Sequence, residues 1–194
     1  MEETLVFLDG GFLSKISKHF GKGKYLIYDI IQFARNIAKK QNLESKKIYY
    51  YNAPPFQSSN PTKEEEIRKK KYDQFVEKLC ESKEIILREG RCQRLKLSNY
   101  FVYKQKVVDS LMVIDLMSVP IEHLDVKKII IIASDSDFVP VIFKLKEKGI
   151  KTILYTYYEK GREALFSTSN YLIKSVDKYI ILTKQDFGDC PLKK

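Results

Sequence analysis

The residues best placed to do chemistry are aspartates that directly follow apolar runs. Asp9 follows Leu5–Leu8, and Asp135 and Asp137 follow Lys128–Ile132 in the string Ile-Ile-Ala-Ser-Asp-Ser-Asp-Phe. In open α/β sheets, ligands bind at the carboxyl ends of the strands. If these two strands are parallel neighbours, all three acids reach one crevice. Clustered carboxylates are costly unless something positive neutralises them. All-oxygen ligation is what Mg²⁺ or Mn²⁺ prefers, and a basic surface would then hold a phosphodiester against the ion. The competing reading is that an aspartate after a strand caps the next helix. It weighs more on Asp9 than on the Asp135–Asp137 pair, because one cap does not need two acids.

Two further acids lie in Lys106-Val107-Val108-Asp109-Ser110-Leu111-Met112-Val113-Ile114-Asp115. Six positions apart, they point in directions about 120° apart on a helix, so both cannot face one ion squarely. Asp109 reads either as a ligand or as a helix cap. Asp115, inside an apolar stretch, reads as a buried, hydrogen-bonded structural acid or a group supporting a ligand. Between Arg88 and Lys106 lie Arg88, Arg91, Arg94, Lys96, Lys104 and Lys106, against Glu89 alone, interleaved with Tyr100, Phe101 and Tyr103. Such a stretch can grip phosphates while its rings stack bases; it also fits a solvated hairpin with core aromatics. Lys106, just before the acidic helix, is the best single phosphate contact. Tyr51, at the end of the second strand, either stacks a base or packs in the core. Lys63 and Lys69-Lys70-Lys71 read as a solvated helix face, and His19 and His123 lie outside the motifs. The Gly21–Lys24 string GKGK lacks the spacing, the Ser/Thr and the preceding strand of a phosphate-binding loop.

The elements that must position these groups alternate along the chain. Strands are expected at Leu5–Leu8, Lys47–Tyr51, Glu84–Leu87, Lys128–Ile132 and Lys151–Tyr155, with a last apolar segment at Val176–Leu182. Helical spacing predicts helices over Tyr28–Lys40, from an Asn60 cap with Pro61 at the first position through Leu79, over Val107–Val119, over Phe138–Lys148 closed by Gly149, and a short one at Gly161–Ser167. Residues 88–106 read as irregular or a hairpin. This alternation predicts an α/β fold with a parallel sheet.

The 194 residues predict one domain, 1–183, and a short tail, 184–194, that frays. With 44% apolar and 31% charged residues the chain is an ordinary globular one. Its 35 Lys and Arg against 25 Asp and Glu leave +10, which favours a polyanionic partner or a lysine-rich solvated surface. Three cysteines with no CxxC pair argue against a disulfide framework or a zinc finger. The acidic N-terminus is not that of a signal peptide, and the apolar run Ile129–Ala133 is too short to span a bilayer. A cytoplasmic location is expected.

The order of apolar strand–DGG, then K-x-x-D-x-x-x-x-x-D, then SDSDF-x-P, then KGIK resembles the NYN domain, a branch of the PIN-like nucleases. The DGGF and SDSDFVP strings look most like its bacterial LabA-like group. The resemblance runs from Leu5 to about Leu182. It implies a PIN-like, Rossmann-like fold: a mainly parallel central sheet with helices on both faces. It also implies an acidic pocket for Mg²⁺ or Mn²⁺, single-stranded RNA as substrate, and pairing as a homodimer. Matched residue by residue, Asp9, Asp109, Asp135 and Asp137 take the places of the catalytic, metal-holding aspartates. The RNA track falls to Lys104, Lys106, Arg91, Arg94 and Tyr51. Two positions depart from the pattern: Phe12 stands where many relatives have Asn, and Val107 where the family string has Gly. The expected function is a metal-dependent ribonuclease; the alternative is a non-catalytic RNA-binding or regulatory module. A third reading, a haloacid-dehalogenase-type phosphatase built on Asp135-x-Asp137, requires that motif to open the fold, yet only 57 residues follow it.

Overall fold

Leu5, Val6, Phe7 and Leu8 are all 0% exposed. Four consecutive buried apolar residues mark a strand covered on both faces. This strand, β1 (Glu2–Asp9), lies inside a six-stranded parallel sheet. The computed structural model describes residues 1–98, 100–159 and 166–192. After β1 the chain forms α1 (Gly10–Phe20), α2 (Ile30–Lys39), β2 (Leu43–Asn52), α3 (Lys63–Cys80) and β3 (Ile85–Glu89). A two-stranded antiparallel hairpin follows, β4 (Arg91–Leu97) and β5 (Tyr100–Lys106). Then come α4 (Val108–Glu122), β6 (Lys128–Ile132), a 3₁₀ turn at Ser136–Phe138, α5 (Val139–Glu147) and β7 (Lys151–Thr156). The last described elements are α6 (Asn170–Ser175), β8 (Lys178–Ile181) and α7 (Lys184–Gly188).

The sheet order is β3-β2-β1-β6-β7-β8. The chain winds outward from β1 in one direction, then returns to β6 and winds outward in the other. That is a doubly wound sheet whose order reverses between β1 and β6. Asp9 therefore ends a strand whose parallel neighbour, β6, leads into Asp135 and Asp137. Alternation along β1 sends Leu5 and Phe7 into a core with α4, α5 and α6, and Val6 and Leu8 into one with α1, α2 and α7. Helices thus cover both faces, as expected.

Several local expectations are corrected. The cap of α3 is Thr62, not Asn60: Glu65 N–H donates to Thr62 Oγ1 while Thr62 N–H donates back to the Glu65 carboxylate, both at 3.2 Å. This reciprocal box satisfies two free amides where Asn60 would satisfy one. Of the two readings of residues 88–106, the structure takes the hairpin, over Arg91–Lys106, with Arg88 and Glu89 ending β3. Within the described residues, the segment after Thr183 packs against the core where fraying was expected. Phe187 and Cys190 are buried, and Phe187 stacks on Phe33 with ring centroids 5.1 Å apart. The helix expected at Gly161–Ser167 lies mostly outside the described residues. Among the described residues no helix is long and apolar enough to cross a membrane.

Candidate active site

The site is assembled by three chain segments that leave regular structure at one end of the sheet. At the end of β1, Asp9 accepts the Phe12 N–H on Oδ1 at 3.0 Å and caps α1. After β6, Asp135 accepts the Asp137 N–H on Oδ1 at 2.9 Å and caps the 3₁₀ turn. Each cap engages one oxygen of the carboxylate. The third segment is the turn from β5 into α4, made by Val107 at φ 74°. A β-branched residue is strained there, which explains why glycine suits this position in the resembling string. The turn leaves Asp109 in the first turn of α4.

Asp9, Asp109 and Asp135 line one cavity of about 670 Å³. Lys15, Asn52 and Ser134 join them, with Tyr103, Lys104 and Gln105 from the hairpin. Asp137 does not line it, although its charge acts on Asp109. Burial, opposed by the Phe12 amide and reinforced by the charge of Asp109, pushes the Asp9 carboxyl up to about 6. Asp109 is raised too, first by lost solvation and then by Asp135 and Asp137. Lys15 works against both shifts. Among the described residues, none of the four aspartates forms an ion pair.

That donor set fits a hard divalent cation: oxygen only and mutually repelling, with Lys15 and Lys104 on the cavity wall but, among the described residues, in ion-pair contact with none of the acids. Among the described residues no three His, Cys, Asp or Glu side chains already converge on a metal-holding point. Mg²⁺ sites commonly use one or two carboxylates, water and substrate phosphate rather than a complete protein cage. The acids are thus grouped around a cavity and not closed into a cage.

Close packing fixes this arrangement. A Cβ on Gly10 would stand 2.7 Å from the Tyr50 ring and from the Tyr51 carbonyl oxygen, so the start of α1 can press onto β2 only as glycine. The hairpin is tied to the end of β2 by Gly90 N–H donating to the Asn52 carbonyl at 2.8 Å and by Gln105 Nε2 donating to Asn52 Oδ1 at 3.1 Å.

The expected RNA track divides. Lys104 lines the acid cavity, whereas Lys106 and Arg91 face each other, exposed, at the base of the hairpin. Arg94 is not a free cation. Its guanidinium lies 4.6 Å from the ring centroids of both Phe56 and Phe101, with Glu65 at 4.0 Å, and it pins the hairpin to the segment before α3. Tyr51 does not stack a base. It is fully buried, and its hydroxyl donates to Asp115 at 2.8 Å. Asp115 is also gripped by Arg88 through two bonds of 2.9 Å, which makes it the structural acid its apolar setting indicates. Tyr100, Phe101 and Tyr103 are exposed rather than core residues. The polar cavity residues that sequence reasoning missed are Ser14, Lys15, Tyr25, Asn52, Gln105 and Ser134. The available signal for Lys15 was the helical spacing of Phe12, Leu13 and Ile16, all buried along α1.

The family model of the NYN domain matches residues 3–183. The crystal structure of a protein of unknown function from Vibrio parahaemolyticus aligns with a TM-score of 0.60 at 18% identity, over 96% of this chain and 95% of that chain. At that identity the likeness is one of fold. No curated protein matches the chain. The match to the family runs from β1 through β8 and takes in all four aspartates, so this chain belongs to the NYN domain family of PIN-like nucleases.

Proposed function

We propose that this protein is a cytoplasmic, metal-dependent ribonuclease that hydrolyses phosphodiester bonds of single-stranded RNA. The observation that carries the reading is the meeting of Asp9, Asp109 and Asp135, from three separate segments, around one cavity, none of them in an ion pair among the described residues. These three carboxylates would hold Mg²⁺ or Mn²⁺, with Asp137 adding negative charge from beside the cavity. When bound, the ion would supply Lewis acidity to the phosphate and lower the pKa of a bound water; cleavage on this reading leaves 5′-phosphate and 3′-hydroxyl ends. Lys15 balances the acids and offers an ammonium to the phosphate. Lys104 and Tyr103 approach from the hairpin, one toward the backbone and one as a stacking surface. Membership of a nuclease-like, RNA-related family supports this reading, as do the three free cysteines for a reducing compartment.

The test is incubation of labelled single-stranded RNA and DNA with Mn²⁺, Mg²⁺ or EDTA, for the wild type and Asp135→Asn. Asparagine caps as well as aspartate, so the variant keeps the 3₁₀ turn and loses only charge. RNA cleavage that needs the metal and disappears in the variant is the expected result. Cleavage retained by Asp135→Asn would remove that residue from the chemistry. Binding without cleavage would favour the non-catalytic RNA-binding module.

A further inference from the structure

Beside the acid cavity lies a second one, of about 640 Å³, that no hairpin residue lines. The two share Phe12, Lys15 and Ser134 and so adjoin each other. The rim of the second carries Lys15, Lys18 and Lys22, spaced three and four apart, hence stacked along one side of α1. Lys22 sits just past the helix, in a turn at φ 52° that hands over to Gly23. The GKGK string is thus no phosphate loop, yet it delivers a lysine to this rim. Among the described residues none of the three lysines forms an ion pair. The cavity is also lined by Phe166, which packs edge-on against His19 with ring centroids 4.9 Å apart. His19 is itself held by the Tyr157 hydroxyl at 3.2 Å and by Glu159 at 3.1 Å.

A row of ammonium groups in no ion pair among the described residues, beside the Phe166 ring, offers a single nucleic acid strand cations for successive phosphates and a ring for a base. We propose that this α1 groove is a second RNA-binding subsite, which takes the nucleotides that leave the acid cavity on the side away from the hairpin. A strand would then be held on both sides of the aspartates, by Lys104 and Tyr103 on one and by Lys18, Lys22 and Phe166 on the other. The inference rests on the reading of the acid cavity as an RNA site.

The test is fluorescence anisotropy of a labelled twelve-nucleotide oligouridylate in EDTA, which prevents cleavage, across a series of NaCl concentrations. The variants are Lys18→Ala/Lys22→Ala and, as a control of equal charge, Lys146→Ala/Lys148→Ala. The control pair lies at the C-terminal end of α5, just before β7 begins, at the amino end of the strands and away from the acids. Each single-strand phosphate contact contributes about 0.7 to the slope of log affinity against log salt. Losing two should flatten the slope by about 1.4. Across one decade of salt, that weakens binding about 25-fold at 0.1 M relative to 1 M. The control should keep the wild-type slope. An unchanged slope in Lys18→Ala/Lys22→Ala, with wild-type binding intact, overturns the groove and leaves the function reading standing. Equal flattening in both double variants overturns it as a net-charge effect. Equally tight binding of a labelled polyglutamate marks a general polyanion surface and overturns the RNA assignment. No wild-type binding of the oligomer at all overturns the function reading together with the groove.

Discussion

Replacing Asp9 by asparagine should stabilise the metal-free protein at neutral pH. The Asp9 carboxyl is half-buried, faces the charge of Asp109 and has no ion-pair partner among the described residues, which raises it from 3.8 to about 6. A raised carboxyl binds its proton more tightly when folded. Its contribution to stability is fully present below about pH 4 and is lost as the pH rises through 6. Two units at about 1.4 kcal/mol each put the ceiling of that loss at about 3 kcal/mol. Residual water contact and salt screening reduce it to about 2 kcal/mol. For a chain of this length each kcal/mol moves Tm by about 2–4 °C. Asp9→Asn should therefore melt about 4–8 °C higher than wild type at pH 7.5 in EDTA. The amide oxygen still accepts the Phe12 N–H, so the cap of α1 survives. The assay is a series of thermal melts from pH 4 to 8 for both proteins. The difference should be near zero at pH 4, open between 4 and 6, and hold constant above. If Asp9→Asn is no more stable than wild type at pH 7.5, or if the difference does not change with pH, the carboxylate is not destabilised by its surroundings and the electrostatic reasoning fails.

Saturating Mn²⁺ should reverse the order of the two proteins, raising the wild-type Tm well above its EDTA value and leaving Asp9→Asn nearly unmoved. A hundredfold excess over Kd is worth about 2.7 kcal/mol, and equal Mn²⁺ shifts would detach Asp9 from the metal. Gly10→Ala should cost about 1–3 kcal/mol in urea denaturation, because its methyl meets the Tyr51 carbonyl at 2.7 Å; an unchanged midpoint would show that the contact relaxes freely. Tyr51→Phe should lower stability by about 1–2 kcal/mol, since Asp115 loses a hydrogen bond, and leave oligouridylate affinity unchanged. Tyr103→Ala should do the converse, weakening RNA binding by about 1–3 kcal/mol with little effect on Tm. Affinity lost in Tyr51→Phe and kept in Tyr103→Ala would invert the assignment of the two rings.

The acids were legible because their neighbours are simple. Leu5–Leu8 and Ile129–Ile132 are apolar on every residue, which in an α/β chain means central parallel strands, and the first polar residue after each marks a carboxyl end. What the sequence hid was parity and company. Tyr49, Tyr50 and Tyr51 are one type in a row, but alternation sends Tyr49 and Tyr51 to the α4 face and Tyr50 to the α2 face. Only the fold shows Asp115 waiting for Tyr51. Arg94 carries the charge of a phosphate contact, and nothing local discloses that Phe56, nearly forty residues earlier, lies against it. Helix α1 escaped notice because it opens on two glycines, the poorest helix formers after proline, and its loss took Lys15, Lys18 and Lys22 with it. The tail was misjudged for a related reason. It is short and polar, yet Phe187 fills a gap between Tyr28 and Phe33 that exists only once α2 is docked.

The choice between a capping aspartate and a functional one dissolves at this site. Asp9 and Asp135 both cap, each with Oδ1. A cap requires one acceptor oxygen, while a carboxylate has two and carries its charge over both. Capping therefore fixes the side chain's position at the strand end without using up its charge. Serine or asparagine would serve the backbone as well. The charge they lack is what burial penalises at Asp9 and Asp109, and Lys15 offsets that penalty only in part. At Asp9 the fold thus carries a carboxylate that an uncharged cap would replace at lower cost in the metal-free protein, which supports the proposed role of this cavity in holding a cation.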